Sequence, residues 1–430
     1  MSMSSALAIL FLVIVASPIA VIVNGPAIVG LLAAAAAISV AIVGMRIRPG
    51  EAGFLATMIR PMAVVASIPA IWMLIQAVPL QTSGLAHPIW KSTAVALGLP
   101  LAGSISIDPG ATLLSFVRYL SATAIIFVAA SVAVDRRRAE WILIAVTAAT
   151  TLIALMALGA AFGVFILSSS GDGGLARTVA ADCAGLGVIL AGASALQNNT
   201  RWSDQSDALT RPKLMASLAM LAVCLLAVIV GGSASTYFAV VCGVATVIVA
   251  IMILRFGIGP WGIAAIASLA VFVAIAAIAL QPNIRTVGLT LAFAGQAPTS
   301  LVAVTQRVLA DISWTGAGAG TFGAIVPIYR NVDELTAGNV PPTAAAAIAV
   351  EMGRPFFWIS LIGAIALAVT LLRGALGRQR DFFYATAGAS CVVTITLLSF
   401  GDAASLTIPV TVIGAVVIGL AIAQSKSRYA

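Results

Sequence analysis

Residues 26–45 read PAIVGLLAAAAAISVAIVGM, a stretch of 20 residues without a charged side chain. A helix needs about 20 mostly apolar residues to cross the hydrocarbon core of a bilayer. The whole chain shares this character, since 61% of its 430 residues are hydrophobic, 8% are charged and the mean hydropathy is +1.14. This composition leaves too little polar surface for a soluble protein of this size. The sequence therefore predicts an integral membrane protein.

Outward from this stretch, similar apolar windows recur along the chain and predict an all-α protein with about twelve transmembrane helices. Unbroken apolar runs exclude β-barrel strands, in which apolar and polar residues alternate. A second apolar span follows the first without a small-residue cleavage site, so we expect a retained helix and not a signal peptide. We expect one polytopic membrane domain over residues 1–430. The predicted spans are residues 6–24, 26–45, 62–81, 112–134, 141–168, 178–197, 214–231, 234–254, 261–280, 356–373, 382–400 and 404–424.

Lysines and arginines are distributed unevenly between the connecting segments. With a cytoplasmic N-terminus, the cytoplasmic segments hold fifteen of the 22 basic residues, the outer segments hold six, and Arg118 lies within a span. Because positively charged segments resist translocation, this bias predicts that both termini are cytoplasmic. The net charge of +8 then reflects membrane topology, and it gives no reason to expect a nucleic-acid partner.

Residues that usually bind metals or form disulfides are few. Cys183, Cys224, Cys242 and Cys391 all fall in predicted spans, where a cysteine behaves as a small apolar residue. His87 has no Cys, Asp or Glu clustered beside it, so a structural role is favoured over a role as a ligand. Neither a disulfide framework nor a metal-binding spacing is present. We expect no metal and no cofactor.

A long segment, residues 281–355, separates the ninth and tenth predicted spans on the outer side. A loop of this length in a compact membrane protein is usually functional or disordered. Its low charge and its aromatic residues Trp314, Phe322 and Tyr329 favour order. Within it, TAAAAIAVEMG predicts a short helix whose apolar residues could rest at the membrane surface.

Three alternating glycines mark the centre of this loop in the stretch GAGAGTFGAIVPIYR. They are Gly316, Gly318 and Gly320. Glycines let backbone N–H groups converge on an anion, so the stretch could cradle a phosphate, with Arg307 and Arg330 supplying charge. The alternative is a tight turn with close backbone packing. The turn is favoured because no strand and helix flank the glycines as in a nucleotide-binding fingerprint, and the outer position excludes cytoplasmic ATP.

Charged residues inside or beside the spans form a second group of candidates. An ion in hydrocarbon costs roughly 2.5–3.5 kcal/mol on insertion scales and needs a partner or a water-filled cavity. Arg118 and Asp182 lie at a similar depth below the outer ends of their helices, so they could form a structural ion pair or line one cavity that opens outward. Asp402 lies near the start of the last span at the same face, and Arg177 precedes the sixth span.

The outer face therefore gathers arginines with few acids. They are Arg118, Arg177, Arg307 and Arg330. Guanidinium groups bind phosphate oxygens bidentately. We therefore expect an anionic substrate presented from the lipid, and a diphosphate is the natural candidate.

Five stretches occur in an order that resembles the O-antigen ligase and polymerase superfamily of bacterial envelope glycan enzymes. They are WMLIQAVPL, SISIDPGATLLSFVRYL, GLARTVAADCAGLG, QRVLADISWTGAGAGTFGAIVPIYR and AVEMGRPFFWISLIGA. The resemblance runs over nearly the whole chain and depends on their order, spacing and sidedness. In the loop it extends to Arg307, Gly316, Gly318, Gly320, Phe322, Pro327, Tyr329, Glu351 and Gly353.

The resemblance implies a GT-C-like polytopic fold and metal-independent glycosyl transfer at the periplasmic face of the bacterial inner membrane. The donor would be a glycan carried on undecaprenyl pyrophosphate, and the acceptor would be lipid A-core or a growing glycan chain. Neither a nucleotide donor nor a cofactor is implied. Further partners would be the lipid bilayer and polysaccharide assembly proteins.

Two positions depart from the family pattern. In NVPPTAAAAIAVE, the family histidine is replaced by Pro341, Pro342 and Thr343, none of which accepts a proton as an imidazole does. In GGSASTYFAV, Ala234 follows Ser233 where the family commonly has a serine and arginine pair.

Several explanations remain open. A carboxylate with a pKa raised by burial, Glu351 or Asp402, could act as the base, or electrostatic stabilisation of the leaving pyrophosphate could make a base dispensable. The protein could also be a non-catalytic partner of a polysaccharide assembly complex. The departures favour a polymerase over a ligase. A polytopic transporter is the alternative from another class, supported by twelve spans and opposed by the lack of a clear internal repeat or broken helix.

Overall fold

The computed structural model describes residues 4–23, 25–46, 49–80, 84–164, 173–204, 210–256, 288–331, 338–377 and 382–425. Within these residues the regular structure is helical, and one isolated β-bridge joins Leu80 to Gly103. Eleven of the described helices are long and apolar enough to cross a membrane. The coarse prediction of an all-helical, multi-pass membrane protein is therefore confirmed.

The helices are numbered in chain order. They are α1 (Ser4–Ile22), α2 (Pro26–Arg46), α3 (Pro49–Ala77), α4 (Ile89–Leu97), α5 (Pro109–Val132), α6 (Arg136–Ala161), α7 (Gly173–Asp204), α8 (Thr210–Gly231), α9 (Ala234–Phe256), α10 (Thr299–Asp311), α11 (Phe322–Ile325), α12 (Ala344–Glu351), α13 (Arg354–Leu376), α14 (Phe382–Gly401) and α15 (Ile408–Ser425). The short helices α4, α10, α11 and α12 belong to the connecting segments, and the others are the candidate spans.

Eleven of the twelve predicted spans coincide with these helices, and the predicted span 261–280 lies outside the described residues. Five starts differ from the predicted ones by four residues or more, those of α3, α6, α7, α8 and α15. Helix α3 begins at Pro49 and not at residue 62, because turns that contain Glu51 extend the helix before its apolar span, which begins at Arg60, and Pro61 is accommodated inside it. The last span begins at Ile408 and not at residue 404, because Ala404–Leu406 forms a turn of 3-10 helix.

Helix α7 is the centre of the bundle and packs against α6, α8, α9, α14 and α15. Every residue from 181 to 190 of this helix is buried. Glycines allow its neighbours to approach closely: a Cβ at Gly187 would lie 2.7 Å from the Sγ of Cys224. This is the small-residue packing that membrane helices use, since lipid tails supply no hydrophobic drive between helices.

One end of the bundle, called the loop end here, carries residues 288–331 and 338–353. Two backbone hydrogen bonds of 2.9 Å join it to the loop. The N–H of Ile107, just before α5, donates to the Ala317 oxygen, and the N–H of Ala344 donates to the oxygen of Asp402, just after α14. The loop is thus attached to the bundle at separate helix ends.

The described loop residues have an apolar core of their own. It contains Leu301, Val304, Val308, Phe322, Ile325, Val326, Ala345, Ala346, Ala349 and Val350. The short helix predicted from TAAAAIAVEMG is α12, and Thr343 caps it by accepting a hydrogen bond of 3.0 Å from the Ala346 N–H. The expectation that its apolar residues rest at the membrane surface is wrong, because they are buried in this core.

Candidate functional site at the loop end

The three alternating glycines form a turn between the bundle and α12. Gly316, Gly318 and Gly320 have φ values of 79°, 106° and 76°, which residues with a side chain rarely adopt. There is also no space for a side chain: a Cβ at Gly316 would lie 2.6 Å from the nitrogen of Gly353, and one at Gly318 would lie 2.6 Å from the Cβ of Ser106. The close packing that the sequence favoured explains these glycines.

The backbone N–H groups of this turn do converge on an anion, but it is a carboxylate of the same chain. The Gly320 N–H donates to Oε2 of Glu351 at 2.8 Å, and the Phe322 N–H donates to Oε1 at 3.2 Å. The Gly318 N–H donates to the main-chain oxygen of Glu351 at 2.9 Å. The donors that a phosphate would need are already engaged, so the phosphate-cradle interpretation does not describe this turn.

Gln76, in the last turn of α3, fixes the glycine turn from the bundle side. Its side chain is fully buried. Its Nε2 donates to the main-chain oxygens of Thr315 and Glu351, each at 2.9 Å, and its Oε1 accepts from the Ala319 N–H at 3.2 Å. The Nε2 and Oε1 atoms of this amide therefore both hold the turn against α12.

Trp72 lies one turn before Gln76 on α3, and its Nε1 donates to the Met352 oxygen at 3.1 Å. Neither side chain was identified as a candidate from the sequence, although both lie in WMLIQAVPL. The available signal was the amide itself, because a polar side chain in a membrane span is costly and usually faces the protein interior.

Glu351 is the last residue of α12, and part of its side chain remains exposed. Burial raises the pKa of its carboxyl to about 7, against the opposing effects of the Gly320 and Phe322 N–H groups and of Arg118. A carboxyl with this pKa is partly ionised at neutral pH, as a general base requires. Its two N–H donors fix its orientation.

Arg118 lies on α5 with an exposed side chain. Ser115, one turn nearer the loop end, occupies the space that a Cβ of Gly320 would need. Arg118 therefore lies below the glycine turn, and its charge acts on the carboxyl of Glu351. It does not act on Asp182, so the Arg118–Asp182 pair that the sequence allowed is not formed.

Asp182 instead forms an acidic pair with Asp402. The two side chains lie within hydrogen-bonding reach of each other, and Asp182 is fully buried. Oδ1 of Asp182 accepts from the Thr236 hydroxyl at 3.1 Å, and Oδ1 of Asp402 accepts from the Ala404 N–H at 2.8 Å. Burial raises the pKa of Asp402, although its bonds to Ala404 and Asp182 act in the opposite direction.

The other predicted cations have separate surroundings. The guanidinium of Arg330 donates to the Gly338 oxygen and to Oδ1 of Asn339, each at 2.7 Å, so it is bound within the loop. Arg307 is half-buried on α10, and Arg177 is exposed near the start of α7. None of Arg118, Arg177, Arg307 and Arg330 lines the cavity of about 420 Å³ found among the described residues. This cavity lies between α10 and α13 and is lined by Arg354 instead.

Two further side chains have structural contacts. The Tyr329 hydroxyl donates to Asp311, and burial together with this carboxylate raises the pKa of Tyr329 to about 12. Nδ1 of His87 accepts from the Ile89 N–H at 3.3 Å, at the start of α4. Burial lowers the pKa of His87, although Asp311 opposes this. These contacts of His87 are of the structural kind that the sequence favoured.

In the described parts of the chain, no group of three His, Cys, Asp or Glu side chains is placed to hold a metal ion, and the four cysteines are free thiols. No protein-family model matches this chain, and no curated protein has a significant match to its sequence.

Proposed function

We propose that this protein transfers a glycan from undecaprenyl pyrophosphate to an acceptor at the loop end of the bundle, as expected from its resemblance to O-antigen ligases and polymerases. The observation that carries the proposal is the unit of Glu351, the glycine turn and Arg118. A carboxyl with a pKa of about 7 is oriented by two N–H groups, and a cation lies on the exposed helix face below it.

In the proposed reaction, an acceptor hydroxyl oxygen bonds to the anomeric carbon of the donor sugar while the bond from that carbon to the pyrophosphate oxygen breaks. The hydroxyl proton passes to the Glu351 carboxylate, and undecaprenyl pyrophosphate leaves with the bonding electrons. Arg118 stabilises the negative charge that develops on the leaving pyrophosphate. Glu351 thus takes the part of the histidine that the family has and this chain lacks.

The proposed location is the bacterial inner membrane, with the loop end periplasmic and both termini cytoplasmic. Helix α5 begins at the loop end and leads to Arg136, Arg137 and Arg138 at its other end. Because arginine-rich segments stay in the cytoplasm, this separation supports the proposed orientation. The departures from the family pattern favour a growing glycan chain over lipid A-core as the acceptor, which means a polymerase.

Replacement of the two central side chains in cells tests the proposal. We expect Arg118→Ala and Glu351→Gln to accumulate in membranes while glycan product is lost and the lipid-linked donor builds up. Arg373→Ala and Glu140→Gln make the same chemical changes away from the loop end and should leave product unchanged. Normal product from both loop-end variants would contradict the proposal.

The glycan of a strain that lacks the protein separates the two enzyme classes. Single repeat units attached to core would indicate a polymerase, whereas long lipid-linked chains without attachment would indicate a ligase. Normal glycan would count against both and favour a redundant partner of the assembly complex.

A transporter is the second candidate, and the Asp182–Asp402 pair favours it. Ionisable side chains buried in a membrane bundle often belong to proton or ion pathways. Purified protein in liposomes distinguishes the two functions, since uptake of solute without transfer of any glycan would identify a transporter.

A further inference from the structure

The acidic pair of Asp182 and Asp402 has too few hydrogen-bond donors for two ionised carboxylates. The Thr236 hydroxyl donates to Asp182, and the Ala404 N–H donates to Asp402. Oδ2 of Asp182 is buried and receives no hydrogen bond from the described residues. Besides the Thr236 hydroxyl, the group within reach of the Asp182 carboxyl is the carboxyl of Asp402.

The surroundings of the pair offer no balancing positive charge in the described part of the molecule. The charged group that interacts electrostatically with Asp182 is Asp402. The thiol of the adjacent Cys183 is the other titratable group that interacts with Asp182. From α9, the neighbours are neutral hydroxyls: the Ser233 oxygen accepts from the Thr236 N–H at 3.1 Å. Ser235 packs directly against Gly401, the last residue of α14.

Two carboxylates in this position resist simultaneous ionisation for two reasons. Removal from water disfavours the charged form of each group, and the charge of one raises the cost of ionising the other. Carboxyl pairs at hydrogen-bonding distance therefore share a proton, as in aspartic proteases.

Asp402 is also where the bundle meets the loop helix α12. Its main-chain oxygen accepts from the N–H of Ala344, the first residue of α12, at 2.9 Å. The last residue of the same helix is Glu351. A change in the position of Asp402 would therefore be transmitted to the helix that carries Glu351.

We propose that Asp182 and Asp402 share one bound proton at neutral pH, and that this proton-binding pair fastens α7 to the junction of α14 and α12. The proton bridges Oδ2 of Asp182 and the Asp402 carboxyl, so the pair carries a single negative charge. Loss of this proton would leave two negative charges in contact. Their repulsion would separate the end of α14 from α7. The inference does not depend on the proposed glycosyl transfer, because the junction is the same in an enzyme or a transporter.

Infrared spectroscopy of the purified full-length protein tests the proton directly. In wild-type protein with isotope-labelled aspartate, we expect a carboxylic-acid band at pH 7 that is shifted by the label and corresponds to one protonated aspartate per chain. The band should give way to a carboxylate band at high pH. Asp182→Asn and Asp402→Asn should each remove it, whereas Asp108→Asn, at the exposed cap of α5, should leave it intact.

The wild-type spectrum tests the proposed shared proton even if an asparagine variant fails to fold. Absence of a labelled acid band at pH 7 would overturn the proposal, and so would a band that persists in both variants. A sodium ion is the other group that could neutralise the pair. In that case the acid band would be absent and sodium chloride, but not choline chloride, would raise the thermal midpoint of the wild type.

Discussion

The N–H of Gly320 donates a hydrogen bond of 2.8 Å to the carboxylate of Glu351, 31 residues further along the chain. Gly320 has a φ of 76°, which residues with a side chain rarely adopt. The glycine turn therefore has two effects, since it packs without side chains against the bundle and it orients a carboxyl whose pKa is about 7. Every proposal about catalysis at the loop end depends on this relationship.

Gly318→Ala should destabilise the protein by about 2–6 kcal/mol, since the strained backbone and the overpacking each cost about 1–3 kcal/mol. Its φ is 106°, and a Cβ would lie 2.6 Å from that of Ser106. The measurement is the thermal midpoint of purified protein in detergent. Gly98→Ala is the matched control, because Gly98 has a φ of 65° but no atom within 4 Å of the added Cβ. Equal midpoints for the two variants would show that close packing is not the reason for the glycine.

Gln76→Leu should loosen the loop, because it removes two donors and one acceptor while leaving their partners buried. The Glu351 oxygen keeps its bond from the Gly318 N–H, so two groups are left unsatisfied at about 1–3 kcal/mol each, and we expect a loss of at least about 2 kcal/mol. Trp72→Phe removes one hydrogen bond at the same surface and should cost about half as much. Limited proteolysis between α10 and α12 measures the effect. Equal protection of both variants and the wild type would contradict the assigned role.

Hydropathy located the spanning helices because the length of an apolar window is a local property that the bilayer thickness fixes. The start of α3 was misjudged because its first turns, which contain Glu51, lie before the apolar window that hydropathy detects. The identity of α12 as a helix was predictable from its alanines. Its burial was not, since the apolar face of an isolated short helix fits a membrane surface and a protein core equally well.

The contacts between side chains within the site could not be predicted from the sequence for a different reason. The phosphate-cradle interpretation counted the N–H groups of the glycine stretch but not the carboxylate that the fold brings to them. Asp182 was placed beside Arg118 by depth alone, whereas rotation about the helix axis directs it to Asp402. Depth follows from counting residues, but direction depends on how the helices pack.

The stability of the protein should fall as the pH rises from about 4.5 to about 7 through the titration of Glu351. Its pKa is about 7 in the folded protein and 4.5 ordinarily, so the folded state binds this proton more tightly than the unfolded state. The contribution is fully present below pH 4.5 and lost above pH 7. Thermal midpoints across this range should decline equally in wild type and in Glu140→Gln and less steeply in Glu351→Gln, in which the raised pKa of Asp402 still contributes a slope of the same sign. The same slope in all three would assign it to other groups.

Transfer of a lipid-linked glycan by purified protein should depend on pH in the opposite sense. A general base works in its ionised form, so the rate should rise with pH to about 7, the pKa of Glu351, and then level off. Glu351→Gln should lower kcat by roughly 10²–10⁴-fold, the range of general-base catalysis, because an amide cannot accept the hydroxyl proton. Glu351→Asp keeps a carboxyl but withdraws it by one methylene, so it should retain more activity than the glutamine variant and still show a rate that rises with pH.

Glu140→Gln, away from the loop end, should reproduce the wild-type profile. A wild-type rate that is independent of pH between roughly 5.5 and 8.5, together with full activity of Glu351→Gln, would show that the reaction needs no base at this position and would leave charge stabilisation by Arg118 as the remaining contribution of the site.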